Sequence, residues 1–288
     1  WEFDLWGRVR AGKRLARANA LGRAAEFAGT RHSLAGQVAK AWLLAIESRQ
    51  QARLAKFAVS THETTVVQVQ ARFEQGILSS VDLRLAKVNL AGSEAQAAEL
   101  ESVATQSIRR LEILLGQFPA NKLPIPQELP LLPAAIPAGV PAEILSRRPD
   151  LVAAEQRLFA TGATLAQAKA TLYPQISLTA SGGTSTSELD GLLSGDSVVW
   201  NVASNLTQPV FQAGRLRANV RLQRANLKAA EESFRSTMLN AMGEVENALD
   251  AAQQLAAMDA ALGTAYEQSQ AAAQTAQERY DHGLGSLI

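Results

Sequence analysis

The sequence predicts a mainly α protein with a smaller β portion, in which long helical coiled-coil hairpins are joined to short strands. Three observations lead there. One strand, turn and long-helix unit occurs twice at an offset of 207 positions. Two windows, Arg8 to Gln75 and Arg215 to His282, contain no proline and few glycines. Three short runs alternate with period two instead of the helical period.

The repeat is densest at its start. Sliding the chain by 207 aligns Gly7, Arg8, Arg10 and Ala11 with Gly214, Arg215, Arg217 and Ala218, and then Arg14, Leu15, Arg17, Ala18 and Asn19 with Arg221, Leu222, Arg224, Ala225 and Asn226. The register holds ungapped through Phe27 and Phe234, Gly36 and Gly243, Val38 and Val245, to Gly76 and Gly283. Insertions accumulate in loops, so an ungapped register over this span predicts one continuous helix per copy. Each helix would measure roughly 100 Å at 1.5 Å per residue. In the first copy Phe27, Leu34, Val38, Ala41, Ala45 and Ala52 form a narrow apolar seam of coiled-coil type.

The elements follow in order. Residues 1–7 read as the end of a strand, with Trp1, Phe3 and Leu5 opposed to Glu2 and Asp4. Residues 8–116 read as a helical hairpin with its tip at 76–80. There Gly76 closes the first helix, and Ser79 caps the second with Asp82 three residues on. Residues 117–141 carry seven prolines interleaved with Leu123, Ile125, Leu129, Leu131, Leu132 and Ile136, which suits a packed extended strap. A shorter helix is expected over 142–171, with Pro149 and Asp150 near its first turn. Residues 172–211 read as a β-hairpin: Ile176, Leu178 and Ala180 alternate with Gln175, Ser177 and Thr179, then Trp200, Val202 and Leu206 with Asn201, Asn205 and Thr207. Residues 212–288 repeat the long helix and end at the second tip.

Composition narrows the function. Aromatics are 5% while hydrophobic residues reach 47%, so the helices are expected to pack through alanine. A net charge of +1 gives no global field for nucleic acid, and no nucleic-acid partner is expected. The absence of cysteine excludes disulfides and thiolate metal sites. His32, His62 and His282 are dispersed, no phosphate-cradling glycine loop is present, and no catalytic constellation stands out, so neither enzyme activity nor a metal or cofactor is expected. No apolar run approaches the ~20 residues of a transmembrane helix, which leaves a β-barrel permitted. Strand patterning alone suits a soluble half-buried sheet as well as a barrel around water.

The segments Trp1-Glu2-Phe3-Asp4-Leu5-Trp6-Gly7-Arg8, Ser146-Arg147-Arg148-Pro149-Asp150-Leu151, Tyr173-Pro174-Gln175-Ile176-Ser177-Leu178, Gln208-Pro209-Val210-Phe211 and Gly214 to Arg217, in that order, resemble the TolC-like outer-membrane efflux channels. The likeness is greatest to the lipoprotein branch serving RND-type multidrug efflux pumps. It implies a homotrimer in the outer membrane of a Gram-negative bacterium. Each protomer would give four strands to a twelve-stranded barrel and long helices to a periplasmic tunnel. It also implies that Gly76, Ile77, Leu78 and Ser79, with Gly283, Leu284, Gly285 and Ser286, meet a periplasmic adaptor protein that links the channel to an inner-membrane transporter. Outer-membrane lipid is a further expected partner. Glu2, Asp4, Asn201 and Asn205 are candidates to line the lumen. Arg147 and Arg148 are expected to pair with carboxylates elsewhere, and the repeated arginines to brace the junction of barrel and tunnel. The sequence reads as a fragment, with a first strand and upstream helices before Trp1 and a returning helix after Ile288. A soluble coiled-coil adaptor or scaffold is the alternative: it shares the helices but not the three strand segments.

Overall fold

A computed structural model describes residues 1–131, 147–185, 187 and 198–281. The elements are β1 (Glu2–Phe3), α1 (Arg8–Glu74), α2 (Ser80–Leu114), α3 (Pro149–Ala170), β2 (Gln175–Thr184), β3 (Val198–Thr207) and α4 (Arg215–Asp281). The end of the strap, the expected start of the shorter helix at 142–146, the loop between β2 and β3, and the second tip lie outside the described residues. The shorter helix is described from Pro149, where a fixed φ and a missing N–H suit the first helical position. The chain forms two compact units divided inside α1, one holding Trp1–Glu26 with Gly139–Ile288 and the other Phe27–Ala138.

In the first unit alanine sets the helix spacing. Ala11, Ala18 and Ala25 recur every seven residues on α1 and are buried, as are Ala153, Ala160, Ala163 and Ala168 on α3. A methyl placed on Gly12 would meet the Gln167 side chain at 3.5 Å, and one on Gly22 would meet the Gln156 side chain at 3.5 Å, so the two helices approach closely and antiparallel. The β portion is one antiparallel sheet in the order β1-β2-β3. Its long pair runs from Gln175 opposite Thr207 to Thr184 opposite Val198.

In the second unit α1 and α2 form the hairpin. Ser48 and Ser107 are buried and their hydroxyls lie 2.6 Å apart, which fixes the register of the two helices. The core gathers Ala41, Ala45, Ile46, Ile108, Leu111 and Ile125, with Val38, Trp42, Leu114 and Leu123 packed against it. The seam read from the sequence is therefore buried only in part: Ala41, Ala45 and Ala52 are inside, whereas Phe27 and Leu34 are exposed. Counting from Ser48 and Ser107, α2 ends at Leu114 opposite Ala41, so the two residues lie beyond its reach.

The described part of the strap is held on this core by one carboxylate. Glu112 is 2% exposed, and its two oxygens accept from the backbone N–H of Asn121 (2.8 Å), Lys122 (2.8 Å) and Leu123 (3.2 Å). Ile125 then enters the core, while Arg53 and Gln50 donate to the Gln127 carbonyl. Burial alone would raise the Glu112 pKa, but the three N–H donors and the nearby Arg109 hold it below the usual carboxylate range.

Two outcomes are expected. Replacing Ile46 with Ala removes one of the largest fully buried side chains and should destabilise the complete protein by about 2–5 kcal/mol, with Ile46→Val losing about 0.5–1.5 kcal/mol, measured by denaturant unfolding. Because the folded pKa of Glu112 is depressed, its contribution is fully present above the unfolded value of about 4.3 and is lost as pH falls through the folded value. Hydrogen-exchange protection of the Asn121, Lys122 and Leu123 amides should therefore be flat near neutrality and fall only at acid pH.

Candidate functional site

Three places gather the residues singled out by sequence: the sheet faces, the strand-to-helix junctions and the hairpin tip. On the sheet, register assigns the faces. Glu2 pairs with Ser177, which pairs with Asn205, while Ser181 pairs with Asn201, so Glu2, Asn201 and Asn205 share one polar face. Phe3, Ile176 and Leu206 form one row of the other face, followed by Ala180 with Val202 and Gly182 with Trp200. Every residue of β3 is exposed, including Trp200 at 78%, Val202 at 58% and Leu206 at 66%. A ten-residue strand is the length that crosses a bilayer when tilted. No helix among the described residues is long and apolar enough to cross a membrane.

At the first junction the chain leaves β1 and starts α1 within a few residues. Gly7 takes φ 76°, and its carbonyl accepts from Ala11 N–H at 2.8 Å. Asp4 lies beyond the last paired strand residue, and its carboxylate accepts from the N–H groups of Val9 (3.0 Å) and Arg10 (2.8 Å) and from the Arg10 guanidinium. Glu2 accepts two bonds from Arg8. Asp4 thereby satisfies N–H groups at the positive end of α1, which has no acidic residue in its own first turn, while Glu2 balances the Arg8 charge beside it. Aromatics brace the same foot: Trp6 stacks on Tyr173 at 4.6 Å and donates its indole N–H to the Pro174 carbonyl at 2.8 Å. The second junction repeats the backbone, with Gly214 at φ 79° and its carbonyl accepting from Ala218 N–H at 2.9 Å.

The first tip is a compact turn. Gly76 at φ 74° ends α1, its N–H bonding the Phe73 carbonyl while Ile77 N–H bonds that of Arg72, both at 2.9 Å. Ser79 opens α2 with a reciprocal cap: Asp82 N–H donates to its hydroxyl at 3.3 Å, and its own N–H donates to the Asp82 carboxylate at 2.9 Å. The Ser79 hydroxyl, followed by the Ser79 N–H, holds the Asp82 pKa below the usual range. Gly76, Ile77 and Ser79 are exposed, Ile77 at 65%, while Leu78 is half-buried. The four residues of the second tip, Gly283 to Ser286, lie outside the described residues.

One site escaped sequence reasoning in its detail. Arg148 donates to both oxygens of Asp150 at 3.1 and 2.8 Å, to Glu244 at 2.6 Å and to the Ala241 carbonyl at 3.5 Å. It thereby ties the start of α3 to the middle of α4. Asp150, then Glu244, hold the Arg148 pKa well above the ordinary arginine value. The pairing of Arg148 was legible, but Glu244 as partner was not, because nothing local marks a residue 96 positions away. Among the described residues no cluster of potential metal ligands occurs.

An exposed apolar strand face on ten-residue strands, joined to long alanine-packed helices, fits the class of outer-membrane β proteins that carry helical extensions. The family model described as "Outer membrane efflux protein" matches residues 1–117 and 140–288, and the chain belongs to that family. It is 30% identical over 293 residues to the solvent efflux pump outer membrane protein SrpC of Pseudomonas putida, covering 100% of this chain and 62% of that protein. It is 32% identical over 290 residues to the outer membrane protein OprJ of Pseudomonas aeruginosa, covering 100% and 60%. The chain thus spans about three-fifths of the length of these relatives. Among solved structures, a membrane protein from Pseudomonas aeruginosa superposes with a TM-score of 0.92 at 31% identity, covering 99% of this chain and 66% of that one. The Campylobacter jejuni CmeC outer membrane channel gives 0.92 at 25% identity, covering 100% and 61%. The fold is that of the efflux channels, and the soluble-scaffold alternative gives way to it.

The tip geometry carries its own expectation. Nothing lies within 4 Å of a methyl built on Gly76, so Gly76→Ala should strain only the backbone, by roughly 1–2 kcal/mol. Replacing Ser79 with Ala should weaken the cap by about 1 kcal/mol, seen as roughly fivefold faster exchange of the Asp82 amide.

Proposed function

We propose that the complete protein is the outer-membrane channel of a tripartite efflux pump, a passive conduit for small molecules across periplasm and outer membrane. Three copies would close one twelve-stranded barrel and one helical tunnel, and energy would come from an inner-membrane transporter reached through a periplasmic adaptor. The observation that carries this reading is the two-faced sheet: Glu2, Asn201 and Asn205 on one side, Phe3, Trp200, Val202 and Leu206 on the other. Lipid satisfies the apolar face, and water in a lumen satisfies the polar one. Asn201 and Asn205 line that lumen. Glu2 faces the same way with its charge matched by Arg8, and Asp4 serves the helix start at the lumen's inner edge.

The exposed Ile77 at the first tip supports docking of the adaptor at Gly76 to Ser79, because an apolar residue presented on a rigid turn is covered in the working assembly. By the repeat, Gly283, Leu284, Gly285 and Ser286 form the second such contact. Opening would require the hairpins to shift, biased by contacts at the tips.

Replacing Ile77 and Leu284 with Asp in the complete protein should abolish the resistance it confers in an efflux-deficient host, while trimers still assemble on a heat-modifiable gel. Resistance equal to wild type would defeat the docking assignment.

A further inference from the structure

The foot of β3 carries a feature that neither conduction nor tip docking uses. A groove of about 460 Å³ lies at the second junction, walled by Leu172, Val210, Phe211 and Leu216 and bordered by Arg215 and Arg217. Val210 is 92% exposed and Phe211 87%. The Arg215 guanidinium donates to the Gln212 amide oxygen, whereas Arg217 has no ion pair or hydrogen bond among the described residues. The groove is amphipathic, with large apolar side chains beside fixed positive charge. It lies a few residues beyond Thr207, the last residue of β3, which on the proposed placement of the sheet in the outer membrane is the depth where aromatic and basic residues meet the lipid headgroups.

The internal repeat supplies an independent reason to expect an anion there. Shifted by 207, Gly7, Val9 and Arg10 fall on Gly214, Leu216 and Arg217, and Asp4 falls on Phe211. In the first copy the Asp4 carboxylate occupies this place and takes the N–H groups of Val9 and Arg10 and the Arg10 side chain. The second copy keeps the left-handed glycine, the helix start and the arginine, but puts an exposed phenyl ring where the carboxylate stood. Among the described residues nothing accepts from the Leu216 and Arg217 N–H groups. The first copy brings its own counter-ion; the second has exchanged it for an apolar surface at membrane depth.

We propose that this groove seats an anionic phospholipid of the periplasmic leaflet, its phosphate at Arg217 and the opening turn of α4 and its acyl chains against Val210 and Phe211. A phospholipid supplies the two chemistries the groove combines, and a free phosphate supplies only one. The inference rests on the outer-membrane placement and not on the identity of pump, adaptor or cargo.

The test uses the complete protein in phosphatidylcholine nanodiscs containing a minority of phosphatidylglycerol, with retained lipid counted by native mass spectrometry. Wild type should retain phosphatidylglycerol over phosphatidylcholine by about fivefold, the effect of one cation at an anionic surface, and added salt should erode the preference. Phe211→Asp, which restores the counter-ion of the first copy, and Arg217→Gln should each remove the preference. Arg224→Gln, two turns further along α4, should keep it. Trimer on a heat-modifiable gel shows that each variant folds. No preference in wild type, as when a second copy covers the groove, would overturn the proposal. So would equal retention by wild type and Phe211→Asp, or displacement of the lipid by millimolar inorganic phosphate. Resistance assays of the same variants read the channel function separately, so a failed lipid site and a failed efflux reading give different results.

Discussion

The constraint on which the rest depends is the change of backbone period at the foot of the sheet. A strand alternates every two residues and a helix turns every 3.6, and here the change is made within four residues between Phe3 and Arg8. Gly7 and Gly214 make it possible because φ of 76° and 79° is strained for any residue with a Cβ. Helix length magnifies the demand. Over the 67 residues of α4 there is no turn at which to correct an error, and a 10° change in its starting direction would move the far end by roughly 17 Å. Fixing the exit angle at a glycine, and bracing it with paired side chains, is a direct way to aim a helix of that length.

Once aimed, the helices are held by small residues and stopped by glycine. The alanines of α1 and α3 bring backbones close with little side-chain entropy to lose. The ends of α1 and α2 use one device twice: Gly76 and Gly116 both turn left-handed, at φ 74° and 72°, and close the last carbonyls with the following N–H groups. At the end of α2, Glu112 does two things. Its carbonyl accepts from Gln117 N–H at 2.8 Å to finish the helix, and its side chain gathers the strap. A buried carboxylate is tolerable there because backbone donors surround it; otherwise burial would favour the neutral acid.

The division between what the sequence disclosed and what it hid tracks the distance over which each interaction acts. Gly76 and the Ser79–Asp82 pair announce themselves because a helix end is decided by four or five neighbours. The repeated glycine does so because its copy is in register. The core is less legible: the seam named Phe27 and Leu34, whereas Ile46 and Leu111 are the largest fully buried side chains. Which apolar residues are covered depends on the register and reach of the partner helix, and the register is fixed by two serines that no hydrophobic pattern marks. Asp4 misleads in another way. Alternation places it with Glu2, but the paired strand has ended by then, and its carboxylate turns to the start of α1. Arg148 with Glu244, and Glu112 with the strap, were hidden because each joins segments whose adjacency is a product of the fold.

The two copies are alike in backbone and unlike in what completes them. Beyond Val245, the residues of α4 whose burial is described are exposed, and Leu255, Met258 and Leu262 recur at the three- and four-residue steps of a coiled-coil seam. The same stretch of α1 is covered by α2, with Val69 and Ala86 both buried near the tip. Shifting the register shows why the two seams cannot accept the same partner: Ala45 becomes Ala252, but Ile46 becomes Gln253, Ser48 becomes Leu255 and Ala52 becomes Asp259. The serine that α1 gives to the buried hydroxyl pair therefore has no counterpart on α4, where a leucine stands at its place and a polar amide replaces the isoleucine. The repeat keeps the 67-residue helix length and the left-handed glycine at its start while rewriting the seam, so α1 and α4 call for different partner surfaces. That difference lies in the side chains and leaves the backbone plan intact.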